Sequence, residues 1–234
     1  MKTHHKNSER IVKKVFQDVF YQYDLMNDLM SFGIHRLWKK SFIDWLNPQK
    51  KTKLIDVASG TGDIAKLYLD KINYKGKVYC VDENKGMLDL SKKKFENNNS
   101  VKWFCNNAEK LPFKNDYFDY YTISFGIRNI NNISIALKEA RRVLKPGGRF
   151  LCLEFSKVKN ETLNKFYKIY SKSIPVIGKI VVGKSDPYDY LINSIDKFYN
   201  QDQLLDEIKN QNFRNVTYRN LSAGIVAIHS AWKI

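Results

Sequence analysis

The sequence is short of cysteine, of arginine and of long apolar runs. Three cysteines, Cys80, Cys105 and Cys152, occur in 234 residues. Their spacing matches no zinc motif and no C-x-x-C redox pair. Each falls in an apolar run that reads as a strand, which predicts buried, inert thiols. An odd count without a secretory leader points to a reducing compartment. No apolar run reaches the roughly 18 residues that a membrane-spanning helix needs. The start, MKTHHKNSERIVKK, lacks an apolar stretch followed by a small-residue cleavage site, so no secretory signal is expected. Internal repeats, low-complexity tracts and flexible Gly/Ser linkers are also missing. Without an RGG tract or an RNP1-like aromatic pattern, nucleic acid is not an expected partner. The expected location is cytoplasmic, with peripheral contact at the inner face of the membrane left open.

Hydrophobic residues make up 43% and aromatics 14%, enough for a sizeable core in one domain. The formal net charge is +16, carried by 32 Lys and only 8 Arg, beside 22 Asn. Three readings account for it: compositional drift over a solvated surface, a basic face toward anionic lipid, or nucleic acid, for which no motif is present.

The hydrophobic pattern predicts helices over the first 50 residues. One follows Ser8, with Ile11, Val12, Val15, Phe16, Val19 and Phe20 in a stripe, and another spans 35–46. Strands are predicted at 54–58, 78–82, 101–105, 118–125 and 149–155. Helices fall between them at 62–72, 86–96 and 132–144, the last ending at Lys145-Pro146-Gly147-Gly148. Helices at 160–173, 186–198 and 202–210 follow. Segments 216–221 and 224–232 form a closing hairpin, separated by Ser222 and Ala223. The fold class is therefore α/β, a mostly parallel sheet with helices on both faces and an antiparallel last strand. As one domain, it divides into a helical cap (1–50), a cofactor-binding core (51–157), an acceptor-side insert (158–213) and the terminal hairpin (214–234).

In such sheets ligands bind at the carboxyl ends of the strands. The first strand runs into Asp56-Val57-Ala58-Ser59-Gly60-Thr61-Gly62-Asp63, where Gly60 and Gly62 allow close backbone approach to a ligand. Strand two ends at Asp82, 22 residues after Gly60, placed to accept from two ribose hydroxyls or to cap a helix. Together they point to a nucleoside-containing cofactor. After strand three, Asn107 and the Ala108 amide could read an adenine edge. Strand four ends in Ser124-Phe125-Gly126-Ile127-Arg128-Asn129.

A glycine loop, an acid at strand two, polar-Ala-Glu after strand three and KPGG before strand five resemble the class I S-adenosylmethionine-dependent methyltransferases. Longer segments narrow this. YDLMNDLMSFGIHRLWK (23–39), DVASGTGDIA (56–65), VDENKGML (81–88), NAEKLPF (107–113), ISFGIRN (123–129), RVLKPGGRFLCLEFSK (142–157), DYLINSIDKF (189–198) and GIVAIHSAWK (224–233) resemble the ubiquinone/menaquinone biosynthesis C-methyltransferase family over nearly the whole chain. Two departures are mild: Ser59 where the family more often has glycine, and Tyr199 where it usually has proline.

The resemblance implies a Rossmann-like fold with seven strands and S-adenosyl-L-methionine as co-substrate, contacted by Thr61, Asp82, Asn107, Ala108 and Ser124. It implies C-methylation of a polyprenyl benzoquinol and/or demethylmenaquinol. Ser-Phe-Gly-Ile after strand four differs from the Asn/Asp-Pro-Pro-Tyr/Phe of enzymes that methylate amines. Asp116 and Asp119 sit at the wrong end of the sheet for a metal, so none is expected. Arg128 is the candidate for stabilising a phenolate, or else a structural ion pair. Tyr23, Asp24, Asn27 and His35 cluster in the N-terminal signature and could close over the site. His35 could act as a base or pack a helix start. Residues 174–183, apolar and ringed by Lys168, Lys172, Lys179 and Lys184, suit docking on an anionic membrane, a buried loop or a subunit interface. A homo-oligomer or a quinone-biosynthesis complex is a further expectation. Three other functions stay open: methylation of another lipophilic molecule such as a sterol, a non-catalytic lipid-binding subunit and, third, RNA methylation.

Overall fold

A computed structural model describes residue 31 and residues 33–96, 98–158 and 186–234. Tyr23, the helices expected at 8–20 and 160–173, and segment 174–183 lie outside the described residues. The order is α1 (His35–Leu46), β1 (Lys53–Val57), α2 (Asp63–Lys71), β2 (Lys77–Asp82), α3 (Lys85–Lys94), β3 (Val101–Cys105), β4 (Phe118–Ser124), a 3₁₀ turn (Ile127–Asn129), α4 (Ile133–Val143), β5 (Leu144–Phe155), α5 (Asp186–Lys197), α6 (Gln201–Asn210), β6 (Arg214–Leu221) and β7 (Val226–Trp232). The seven strands form one sheet in the order β3-β2-β1-β4-β5-β7-β6. Only β7 runs antiparallel to its neighbours β5 and β6.

The strands are apolar on both faces because both faces are covered. Leu54 and Ile55 are both fully buried, yet they point into different cores. One core takes Trp38, Phe42 and Leu46 of α1 together with Tyr68 of α2 and Leu191 of α5. The other takes Leu137 and Ala140 of α4 with Leu204 and Ile208 of α6. In α4 the buried residues Ala136, Leu137, Ala140 and Val143 form one stripe at helical spacing. Asn132 starts that helix by accepting the Ile135 amide at 3.1 Å, and Asn84 starts α3 in the same way. Among the described residues, no helix is long and apolar enough to cross a membrane.

Three local expectations need correction. Lys145-Pro146-Gly147-Gly148 does not separate α4 from the next strand but lies inside β5. The register passes from Phe118↔Leu144 to Tyr120↔Arg149, and the intervening residues bulge out. Gly147 adopts φ +77° there and its amide donates to Lys233 O at 2.7 Å. The terminal hairpin turns over Ser222–Ile225, so β7 starts at Val226. Cys105 is exposed, unlike the buried Cys80 and Cys152, because it ends the edge strand β3.

Candidate active site

Strand order reverses between β1 and β4, which leaves a crevice at their carboxyl ends. The two loops there touch. A Cβ added to Gly126 would lie 2.3 Å from Ala58 Cβ, so only glycine lets the loop after β4 abut the loop after β1. Ala58 and Phe125 both carry positive φ, 52° and 56°, a strained conformation for residues other than glycine. Gly60 also has positive φ, but a Cβ added there meets nothing within 4 Å. The space beside Gly60 is open, as a bound ligand requires. Gly62 differs: its Cβ would run into Ser91 Oγ at 2.6 Å and Phe95 at 2.8 Å. The structure therefore gives Gly62 a packing reason rather than one of ligand approach.

Asp82 closes the glycine loop from the side. Its Oδ2 accepts the Gly60 amide at 2.8 Å and its Oδ1 accepts the Asn84 amide at 2.9 Å. The α3 cap is Asn84, not Asp82. Burial raises the Asp82 pKa despite the amides of Asn84 and Gly60. Thr61 is half-buried in the loop. Asn107 is exposed, and its Oδ1 accepts the Glu109 amide at 2.6 Å, which fixes the turn after β3. Ala108 is buried beside it. Ser124 ends β4 with its Oγ buried and unpartnered.

Beneath the loop, Asp56 of β1 is 1% exposed and its Oδ1 accepts the Thr122 hydroxyl at 2.8 Å. Its Oδ2 is buried without a partner. Burial pushes its pKa up to about 7, and the charges of Asp82 and Asp63 add to this. Asp63, the first residue of α2, accepts from Lys39 of α1 at 2.8 Å and from Lys94 of α3. Burial opposes its ionisation, but the two ammonium groups outweigh it and hold the carboxyl below its usual range. Asp63 thus ties α1 to the end of the glycine loop. Asp56 and Ser124 thus each keep a buried oxygen without a hydrogen-bond partner near the carboxyl ends of β1 and β4.

Arg128 lies just beyond β4, in the 3₁₀ turn Ile127–Asn129. Its Nη1 donates to Glu154 Oε1 at 2.7 Å and to Phe125 O at 2.7 Å. The Arg128 and Glu154 side chains are 6% and 1% exposed. The guanidinium lies over the Phe155 ring, with Cζ 5.6 Å from the centroid. Tyr190 of α5 joins this group by donating to Asn129 Oδ1 at 3.0 Å. His35 is buried in the first turn of α1, where its amide donates to Ser31 Oγ at 3.2 Å. Asp119 and Asp116 lie at the opposite end of the sheet, in ion pairs with Lys145 and Lys233.

Sequence reasoning missed Glu154, Tyr190 and Asp63. Glu154 offered one signal, a carboxylate in an otherwise apolar strand.

Fold and crevice define a class I S-adenosylmethionine-dependent methyltransferase. Solved structures show the same fold at low identity. A methyltransferase from Thermotoga maritima superposes with TM-score 0.67 at 18% identity, covering 94% of this chain and 99% of that one. Phosphoethanolamine N-methyltransferase 2 of Haemonchus contortus gives 0.63 at 16%, covering 84% of this chain and 52% of that one. The chain itself belongs to the ubiE/COQ5 methyltransferase family, whose model matches residues 2–233. It is 51% identical to the ubiquinone/menaquinone biosynthesis C-methyltransferase UbiE of Rickettsia bellii, over 97% of this chain and 94% of that one. With the UbiE of Rickettsia prowazekii it shares 49% over 100% of this chain and 96% of that one.

Proposed function

We propose that the protein methylates a ring carbon of a reduced polyprenyl benzoquinol or demethylmenaquinol. The family match over residues 2–233 carries this reading. When bound, S-adenosylmethionine supplies the electrophilic methyl group. Asp82 would accept from the ribose hydroxyls, since each of its oxygens has a lone pair left after taking one backbone amide. Asn107 and Ala108 would meet the adenine, and Thr61, Gly60 and Ser124 would border the methionine end.

The acceptor carbon needs electron density. Loss of a phenolic proton provides it, because the resulting oxyanion shares its charge with the adjacent ring carbon. A carbon–carbon bond then forms to the methyl as the methyl–sulfur bond breaks, its electron pair staying on sulfur, and the ring hydrogen leaves as a proton. Arg128 is the group suited to hold the oxyanion, being permanently charged and buried where its field is strong. Phe125 and Phe155, with ring centroids 5.0 Å apart, line that side with apolar surface.

Quinone profiling by mass spectrometry in a strain lacking this protein tests the reading. The expected result is accumulation of a quinone one methyl lighter. An unchanged quinone profile would contradict it.

A further inference from the structure

The chemistry above asks Arg128 to face an oxyanion, yet a carboxylate already grips it. Glu154, next to last in β5, is 1% exposed. Its Oε1 takes the Arg128 Nη1 proton at 2.7 Å and the Phe155 amide at 2.9 Å. Its Oε2 accepts the Arg128 backbone amide at 3.4 Å. One carboxylate thus holds Arg128 by main chain and side chain together. The second Nη1 proton goes to Phe125 O, whose residue is itself held in the left-handed region. Nη1 is then fully used, whereas Nε is buried and makes no hydrogen bond. A buried N–H without an acceptor is costly, and structures that keep one often reserve it for a ligand.

We infer that Glu154 is the positioning residue for Arg128. It anchors the guanidinium through Nη1 and leaves the remaining N–H groups uncommitted for the acceptor's oxygen. This rests on the C-methylation reading of the site. Arg has several rotatable bonds, and a charge that wanders stabilises a developing oxyanion less than one fixed in advance. Burial raises the Glu154 pKa, which Arg128 opposes, so the pair depends on both members.

Steady-state kinetics and cofactor calorimetry on wild type, Glu154→Gln, Arg128→Met and the double variant test this. Glu154→Gln keeps the volume and removes the charge. The expected result is a fall in kcat of about tenfold or more, with acceptor KM and cofactor affinity within about twofold. The double variant should be no slower than Arg128→Met alone, because Glu154 acts through Arg128. Additive losses in an active enzyme would overturn the inference and assign Glu154 to the fold. So would a Glu154→Gln protein that no longer binds cofactor. A wild type inert toward every reduced quinol would instead overturn the functional reading on which the inference stands.

Discussion

The Asp82 carboxylate accepts the Gly60 amide at 2.8 Å, so the acid ending β2 and the glycine loop after β1 form one unit. Loss of either side should loosen both. Asp82→Ala removes a charged acceptor and frees the loop. Hydrogen bonds to charged groups contribute about 1.5–3 kcal/mol, which corresponds to a roughly ten- to hundredfold weaker S-adenosylmethionine Kd. Calorimetry on the folded variant checks this, and unchanged affinity would confine Asp82 to a structural role.

The two site glycines should respond differently to alanine. Gly60→Ala meets no neighbour within 4 Å, so only its positive φ opposes the change. Stability should fall by about 1 kcal/mol, while the new methyl occupies ligand space and weakens cofactor binding. Gly126→Ala drives a methyl to 2.3 Å from Ala58 Cβ. That overlap should cost about 1–3 kcal/mol and lower Tm more than Gly60→Ala does. Equal Tm losses would mean that the two loops give way.

Arg128→Lys keeps the charge and loses the planar guanidinium, whose Nη1 alone bonds both Phe125 O and Glu154. The expected outcome is a large fall in kcat with cofactor affinity nearly intact. Full kcat with reduced Tm would make the buried pair purely structural.

Asp56 makes stability depend on pH. Its folded pKa of about 7 lies above the ordinary value of 3.8, so the folded state holds the proton more tightly. The acid's contribution is therefore favourable at low pH and is lost as pH rises through 7. His229 works the other way. Burial lowers its pKa to about 4, against the Gln201 carbonyl that it contacts at 2.8 Å, so its stabilisation is lost as pH falls from 6.5 toward 4. Asp56→Asn isolates the first effect. Relative to wild type, the ligand-free variant should gain roughly 2–3 kcal/mol between pH 5 and pH 8, read from urea melts. A constant difference across that range would show that Asp56 ionises normally.

Strand positions, the glycine loop and Asp82 were legible because they depend on short-range pattern. Period and punctuation locate LIDVA and VYCVD, and an acid ending a strand has few local uses. Features set by distant partners were not legible. Glu154 and Arg128 are 26 positions apart and meet only because β4 and β5 are neighbours. Pro146 and the two glycines after it read as a turn, yet Lys233 of the last segment pairs with Gly147 and Gly148 and keeps them within the strand. Gly62 looked like ligand space, but helix α3 packs against it. Exposure of Cys105 follows from edge position, which depends on strand order rather than on the residues around it.

The redox state of the acceptor tests the central claim most directly. An oxidised quinone ring is electron-poor and has no phenolic proton to lose, so its carbon cannot attack a methyl donor. Purified protein with S-adenosylmethionine and a demethylated quinone, analysed by mass spectrometry, should give a product one ring methyl heavier when the quinone is kept reduced. Nothing should form when it is kept oxidised. Equal turnover of the oxidised quinone without reductant, or methyl found on oxygen rather than carbon, would contradict the account.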